Sequence, residues 1–232
     1  MFFFDPMYLL FVAPGMIFAL IATMKVKMTF SKYSKIASAS GLTGAEAARQ
    51  MLARNNVTNV TVERVDGFLS DHYDPTSRTL RLSSDVYDSP SLSAIGVACH
   101  EAGHALQHAS AYLWLGLRSS LVPAVQFGSW GSYIFFIAGM FMHSPRMILL
   151  GIILFSLTVV FSIVTLPVEW DASARAKRLM VSSGIVSYRE QEDAARVLNA
   201  AFLTYVASAV TALLTLLYYL YRSGLIGGRR ND

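Results

Sequence analysis

The segment His100-Glu101-Ala102-Gly103-His104 is the part of the chain best suited to chemistry. Two histidines four residues apart in a helix lie on one face, about 40° apart around the axis and roughly 6 Å apart along it. At that spacing, two imidazoles can bind one Zn²⁺ ion. Glu101 lies beside the first histidine, where its carboxylate can take a proton from metal-bound water without binding the metal. The small residues Ala102 and Gly103 leave room for an ion and a substrate.

A catalytic zinc ion usually has three protein ligands and one open position, so the chain must supply a third donor. His108 is unsuitable because it lies about 12 Å along the helix axis from His100, and we interpret it as a structural residue or a neighbour of the site. Glu169 is the preferred candidate. It follows an uncharged run that returns the chain to the membrane face where the histidine helix lies. Asp171 is the alternative ligand.

Four side chains could assist such a site. Asp171, or Ser173 one helical turn after Glu169, could orient a ligating imidazole. His72 or Tyr73 could donate a hydrogen bond to an oxyanion, although packing within a loop is the simpler explanation for both.

Four stretches without Asp, Glu, Lys or Arg are long enough to cross a bilayer as helices, which takes about 20 mostly apolar residues each. They are residues 6–24, 119–142, 147–168 and 197–221. The chain of 232 residues is 54% apolar and 15% charged, whereas a soluble domain is about 25% charged. Too little polar sequence remains to cover four buried core helices. We therefore predict a mainly α-helical membrane protein with four spans.

The composition also excludes several classes of protein. A chain this apolar is neither disordered nor a nucleic-acid-binding arm. The single cysteine, Cys99, excludes an internal disulfide. The lipid bilayer is thus the first expected partner, and nucleic acid is not one.

The distribution of basic residues predicts the orientation. Two crossings separate residues 25–118 from residues 169–196, so both segments lie on one side of the membrane. The first begins with four lysines among residues 25–35, and the N-terminus has no basic residue. The positive-inside rule therefore places both segments in the cytoplasm and both termini outside. The first span lacks a basic leader and a cleavage site, so it is expected to stay as an anchor.

Residues 25–118 are predicted to form a small α+β subdomain that carries the histidine helix. Ser89-Pro90 is a good helix start, and the helix is expected over about residues 90–111. Residues 169–196 are expected to be helical and to continue the third span into the cytoplasm, with the third ligand near their start.

Two further patterns in the subdomain predict local structure. Thr43 and Glu46 have the spacing of a capping box and predict a helix start. Thr79–Leu82 alternates polar and apolar residues and predicts a short strand. This strand lies either at a sheet edge, where it could pair with an extended peptide, or in the sheet interior.

Three parts of the chain together resemble one family. They are Asp71-His72-Tyr73-Asp74-Pro75 with the following Arg78–Ser83, the helix His100–Ala109, and Leu166–Glu169 followed by Asp171-Ala172-Ser173. Over about residues 7–222, the chain resembles the YugP-like neutral zinc metallopeptidases of bacterial membranes, which are of the gluzincin type. The resemblance implies a zincin-like subdomain with one Zn²⁺ bound by His100, His104 and Glu169, and with Glu101 as general base. It also implies kinship with the heat-shock protease HtpX and the prenyl-protein proteases, which carry an aspartate where Ser173 stands here.

We therefore expect a membrane-anchored zinc peptidase that hydrolyses peptide bonds of a peptide or protein at the cytoplasmic face. One alternative is an intramembrane protease of the site-2 type, whose His-Glu-x-Gly-His sequence lies within a span and is joined by an aspartate from another span. The uncharged runs contain no such aspartate. The other alternative is a non-enzymatic zinc-binding scaffold, which would have no use for Glu101 beside the metal.

Overall fold

The computed structural model describes residues 6–67 and 70–226. Within them, the helices are α1 (Pro6–Tyr33), α2 (Gly44–Arg54), α3 (Ser84–Tyr87), α4 (Leu92–Ala109), α5 (Leu113–Phe141), α6 (Pro145–Ser182) and α7 (Tyr188–Arg222). The strands are β1 (Thr61–Val65), β2 (His72–Asp74) and β3 (Thr79–Ser83). The described residues form two compact units. The membrane unit contains residues 6–21, 117–166 and 204–226, and the polar unit contains the rest.

Four helices of the described chain, α1, α5, α6 and α7, are long and apolar enough to cross a membrane. This agrees with the four predicted spans. Large apolar side chains point away from the protein along them, such as Phe127, which is 81% exposed, and Trp130, which is 77% exposed. Such surfaces are stable in lipid rather than water. The helices are longer than the uncharged runs, because charged residues beyond the apolar core remain good helix formers. The chain termini, predicted to lie outside the cell, are not among the described residues.

Close helix packing in the membrane unit depends on small residues, as is common between membrane helices. A Cβ atom added at Gly151 would lie 2.7 Å from the backbone nitrogen of Phe136, and one at Gly15 would lie 2.9 Å from the Cα of Thr211. The Phe136 ring stacks on that of Tyr219, with 3.9 Å between centroids.

The polar unit contains a three-stranded sheet in the order β1-β3-β2. Strand β3 pairs in parallel with β1 and antiparallel with β2. Leu80 and Leu82 of this central strand are fully buried in the core. The segment Thr79–Leu82 is therefore an interior strand, and the alternative of an edge strand is wrong.

The capping box at the start of α2 is confirmed, since the Thr43 side chain accepts from the Glu46 backbone and the Glu46 side chain accepts from the Thr43 backbone.

The predicted start of α4 is wrong by a short distance. Its N-cap is Ser91, whose side chain accepts from the backbone N–H of Ala94. The Pro90 carbonyl instead accepts from the backbone N–H of Ser38. That contact with a distant part of the chain keeps the residues before Ser91 out of the helix.

Residues 169–196 are mainly helical and continue the third span, as expected, but they do not form one helix. Helix α6 continues past the apolar run and ends at Ser182, and α7 begins only at Tyr188. Between them, Gly184 has a φ of +69°, a left-handed conformation that glycine adopts without strain. The chain therefore reverses here instead of continuing.

Candidate metal centre

Helices α4 and α6 bring three potential metal ligands together in the polar unit. Glu169 Oε2 lies 3.2 Å from His100 Nε2 and 3.6 Å from His104 Nε2. One ligand atom from each residue lies within 4.8 Å of the other two. Two imidazole nitrogens and one carboxylate oxygen form a donor set that suits zinc and leaves a fourth position open. The sequence-predicted ligands thus meet in one place.

Burial makes this cluster a defined site rather than a surface contact. Glu169 is 1% exposed and His104 is 7% exposed. Val168 and Ala172, which flank Glu169 on α6, are fully buried. A carboxylate so far from water needs a partner that compensates its charge, and a metal cation held between it and the two imidazoles would supply that charge.

Each imidazole is also bonded through its second nitrogen. His100 Nδ1 lies 3.2 Å from Ser173 Oγ, and His104 Nδ1 lies 3.0 Å from Gln107 Oε1. When Nδ1–H donates to these oxygens, the lone pair of Nε2 is directed at the position shared with Glu169. Ser173 therefore contacts a predicted ligand as the sequence suggested it could.

Gln107 is a residue whose role the sequence analysis missed. Its side chain is fully buried, and its Nε2 donates to the Val168 carbonyl at 2.8 Å and to Asp171 Oδ2 at 2.9 Å. Both N–H groups of the amide and its oxygen are thus used between His104 and α6. The available signal was spacing, since Gln107 lies three residues after His104 and therefore on the same helical face.

Asp171 lies outside the donor cluster. Its Oδ2 accepts from Arg175 Nε at 2.6 Å as well as from Gln107. The geometry does not favour Asp171 as the third ligand, because its carboxylate faces the Gln107 amide and the Arg175 guanidinium. Asp171 is linked to His104 through the Gln107 amide, which contacts both side chains.

Glu101, the candidate base, is also outside the donor cluster and is 9% exposed. It lies near Asp71, whose carboxylate accepts from the backbone N–H of Ser83 at 2.8 Å. The pKa of Asp71 is raised, mainly by burial and further by the charge of Glu101, although the hydrogen bonds from Ser83 act in the opposite direction. Glu101 therefore lies in the same buried region as the three ligands, but its carboxylate is not one of them.

The other predicted residues lie nearby with partners of their own. His72 is exposed, and its Nδ1 lies 2.8 Å from the Ser70 carbonyl oxygen. The Tyr73 hydroxyl lies 2.8 Å from His108 Nδ1. His108 is not in the donor cluster, as its position along the helix predicted. Tyr73 and His108 line a cavity of about 410 Å³.

Comparison with known proteins places this chain in a family. A family model described as "Putative neutral zinc metallopeptidase" matches residues 8–224. The chain belongs to that family. A curated relative, the "Putative membrane protease YugP" of Bacillus subtilis (strain 168), is 50% identical over 198 residues, which are 85% of this chain and 88% of the relative. No solved structure matches the chain.

Family membership and structure agree on two points. The neutral zinc metallopeptidase family implies zinc, and His100, His104 and Glu169 provide a donor set that fits this ion. The four apolar helices and the relative's description as a membrane protease make this chain a multi-pass membrane protein.

Proposed function

We propose that this protein is a membrane-anchored zinc peptidase that hydrolyses peptide bonds at the cytoplasmic face of the membrane. The observation that carries the proposal is the buried cluster of His100, His104 and Glu169, with Glu101 beside it and free of it. A structural zinc site is usually closed by four protein ligands, whereas three ligands leave a position for chemistry.

The residues divide into distinct roles. His100, His104 and Glu169 would hold the ion. When bound, zinc lowers the pKa of its water and polarises the substrate carbonyl. Glu101 takes the proton of the attacking water and passes it to the leaving amine. Gln107 and Ser173 keep the two imidazoles in the required tautomer and orientation.

The substrate is proposed to bind along β2 rather than β3. Strand β3 is paired on both sides, while β2 is an edge of the described sheet. Tyr73 of β2 is hydrogen-bonded to His108 of α4, so this edge lies over the helix that carries the histidines. An extended peptide added to β2 would form main-chain hydrogen bonds as a further strand.

The test of the mechanism is Glu101→Gln in the full-length protein. This change keeps the size of the side chain and removes the base. We expect stoichiometric zinc and a loss of about 10²–10⁴-fold in cleavage of an unfolded, fluorescently labelled protein, the usual range of general-base effects. Glu63→Gln, a change at an exposed position of β1, is the matched control. Undiminished proteolysis by Glu101→Gln would remove this residue from the mechanism.

The two other functions are less well supported. Helix α4 is not among the candidate spans of the described chain, which disfavours a site within the bilayer. Cys99 is fully buried in the core of the polar unit. Its protection from water-soluble reagents would therefore not by itself indicate an intramembrane site. The other alternative, a non-enzymatic scaffold, would be supported if the wild-type protein bound zinc but cleaved no protein or peptide substrate.

The cytoplasmic orientation is open to a direct test. Ser34→Cys places a thiol at an exposed position of the polar unit, and Met142→Cys places one after α5, where Met142 is 68% exposed. In intact cells, a membrane-impermeant maleimide is expected to label position 142 and not position 34. The reverse pattern would overturn the orientation but not the enzymatic proposal.

A further inference from the structure

A groove in the polar unit lies between α1 and α7, away from the donor cluster, and has a volume of about 610 Å³. We call it the α1–α7 groove. Its lining residues come from one face of each helix: Lys25, Thr29, Lys32 and Tyr33 from α1, and Arg196, Asn199, Ala200 and Leu203 from α7. Nothing in the proposed peptidase mechanism uses them.

Three cations converge on this groove with little compensation. Arg196 lies 3.7 Å from Asp193 in an exposed pair, and Lys32 lies 5.1 Å from the centre of the Tyr33 ring. Among the described residues, no carboxylate oxygen comes within 4.0 Å of the ammonium of Lys25 or Lys32. Cations held together in this way repel one another, and a bound anion would relieve that repulsion.

The groove lies where two spans meet charged sequence. Lys25 directly follows the uncharged run 6–24, and Arg196 directly precedes the uncharged run 197–221. Residues at such boundaries lie at the depth of the lipid headgroups. Ala200 and Leu203 add apolar surface to the same groove. A ligand with both a phosphate and a hydrocarbon part would match this lining.

Neighbouring side chains support the same depth and supply further hydrogen-bond donors. Trp170 is 59% exposed and packs edge-on against Phe202 at 5.3 Å, as expected of an aromatic residue at a membrane interface. Asn199 Oδ1 accepts from Lys177 Nζ at 3.0 Å. This bond leaves the amide N–H of Asn199 to face an acceptor such as a phosphate oxygen.

We propose that the α1–α7 groove binds the headgroup phosphate of an anionic phospholipid. Basic pockets between membrane helices are suited to such headgroups, because they combine charge with a position at the bilayer surface. Lys25, Lys32 and Arg196 contact the phosphate, and Asn199 and Thr29 donate hydrogen bonds to it. The proposal is independent of catalysis, since the groove shares no residue with the donor cluster.

The experiment is native mass spectrometry of the full-length protein in detergent, titrated with phosphatidylglycerol or phosphatidylcholine. The groove variant is Lys25→Gln, Lys32→Gln and Arg196→Gln combined. Each basic residue near an anionic surface adds an attraction equal to about a fivefold change in affinity. We therefore expect binding of phosphatidylglycerol about a hundredfold weaker in this variant, and weak binding of phosphatidylcholine by both proteins.

The matched control removes three cations from other surfaces of the polar unit: Lys27→Gln, Lys35→Gln and Arg178→Gln. Lys27 is on α1 but lines a different cavity, and all three control residues are exposed. Unchanged binding in the control supports the groove. Equal losses in the control and groove variants would overturn it, because they would show attraction by charge alone.

A charge-conserving variant and a competition experiment test whether the loss is specific to the groove and to lipid. A charge-conserving variant, Lys25→Arg, Lys32→Arg and Arg196→Lys, is expected to restore most of the binding, which a misfolded groove would not allow. Inorganic phosphate and glycerol phosphate are added as competitors. Displacement of the lipid by either at equal concentration would assign the groove to a soluble phosphate and overturn the lipid proposal.

Discussion

The Cα of Gly103 lies so close to the carbonyl of Ala172 that a Cβ at position 103 would stand 2.7 Å from that oxygen. This contact joins α4 to α6 directly beside the donor cluster. Gly103 precedes His104, and Ala172 lies one turn after Glu169. The absence of a side chain at position 103 therefore sets how near the Glu169 carboxylate comes to the imidazoles.

Gly103→Ala is expected to separate the helices and weaken the metal site. Backbone cannot yield as a flexible side chain does, so the overlap should cost about 1–3 kcal/mol of stability. We expect a lower melting temperature and less than stoichiometric zinc, measured by differential scanning fluorimetry and plasma mass spectrometry. Gly116→Ala is the control, since a Cβ at Gly116 would meet nothing within 4 Å. Full zinc binding by Gly103→Ala would show that the close approach is not required.

Gln107→Leu should weaken zinc binding by about 10–100-fold, the usual effect of removing a residue that orients a ligand. The change removes the acceptor for His104 Nδ1–H and the donor to Asp171. Competition with a chelator of known affinity measures the loss. Gln191→Leu is the matched control, because Gln191 Nε2 also donates to an α6 carbonyl, that of Lys177, but away from the site. Similar losses in both variants would argue for a general effect on α6.

Tyr73→Phe is expected to reduce kcat/KM for peptide cleavage by less than about tenfold. Loss of a true oxyanion donor costs about 10²–10³-fold. The Tyr73 hydroxyl is instead held by His108 Nδ1 at 2.8 Å, so we assign it a structural role. A loss of a hundredfold or more in kcat at unchanged KM would contradict this and make Tyr73 a catalytic residue.

Cys99 is expected to resist alkylation in the folded protein. Its side chain is fully buried, and burial raises the pKa of its thiol, so little thiolate forms even at mildly alkaline pH. Iodoacetamide should modify it only after unfolding, as followed by intact-protein mass. Rapid modification of the native protein would mean that the core around α4 is open.

Local signals in the sequence were sufficient for part of this fold. Charge-free runs identified the four spans, because a bilayer excludes charge over a fixed length. The capping box of Thr43 and Glu46 identified the start of α2, because its bonds form within one turn. The spacing of His100 and His104 placed both on one helical face for the same reason.

Contacts between distant segments could not be derived in the same way. The role of Gln107 depends on α6 packing against α4 across more than 60 residues of sequence. The start of α4 shifts because the Pro90 carbonyl bonds to Ser38. The central position of β3 depends on its pairing with both β1 and β2, and the alternation in Thr79–Leu82 does not specify a neighbour.

The zinc content of purified Glu169→Ala, measured beside the wild type, Glu101→Gln and Asp171→Ala, tests the central claim most directly. We predict stoichiometric zinc in the wild type and in Glu101→Gln, and only a partial loss in Asp171→Ala, whose side chain reaches the site through Gln107. In Glu169→Ala the site keeps two imidazoles alone, so zinc should be lost on dialysis. Stoichiometric zinc retained by Glu169→Ala would contradict the proposed centre.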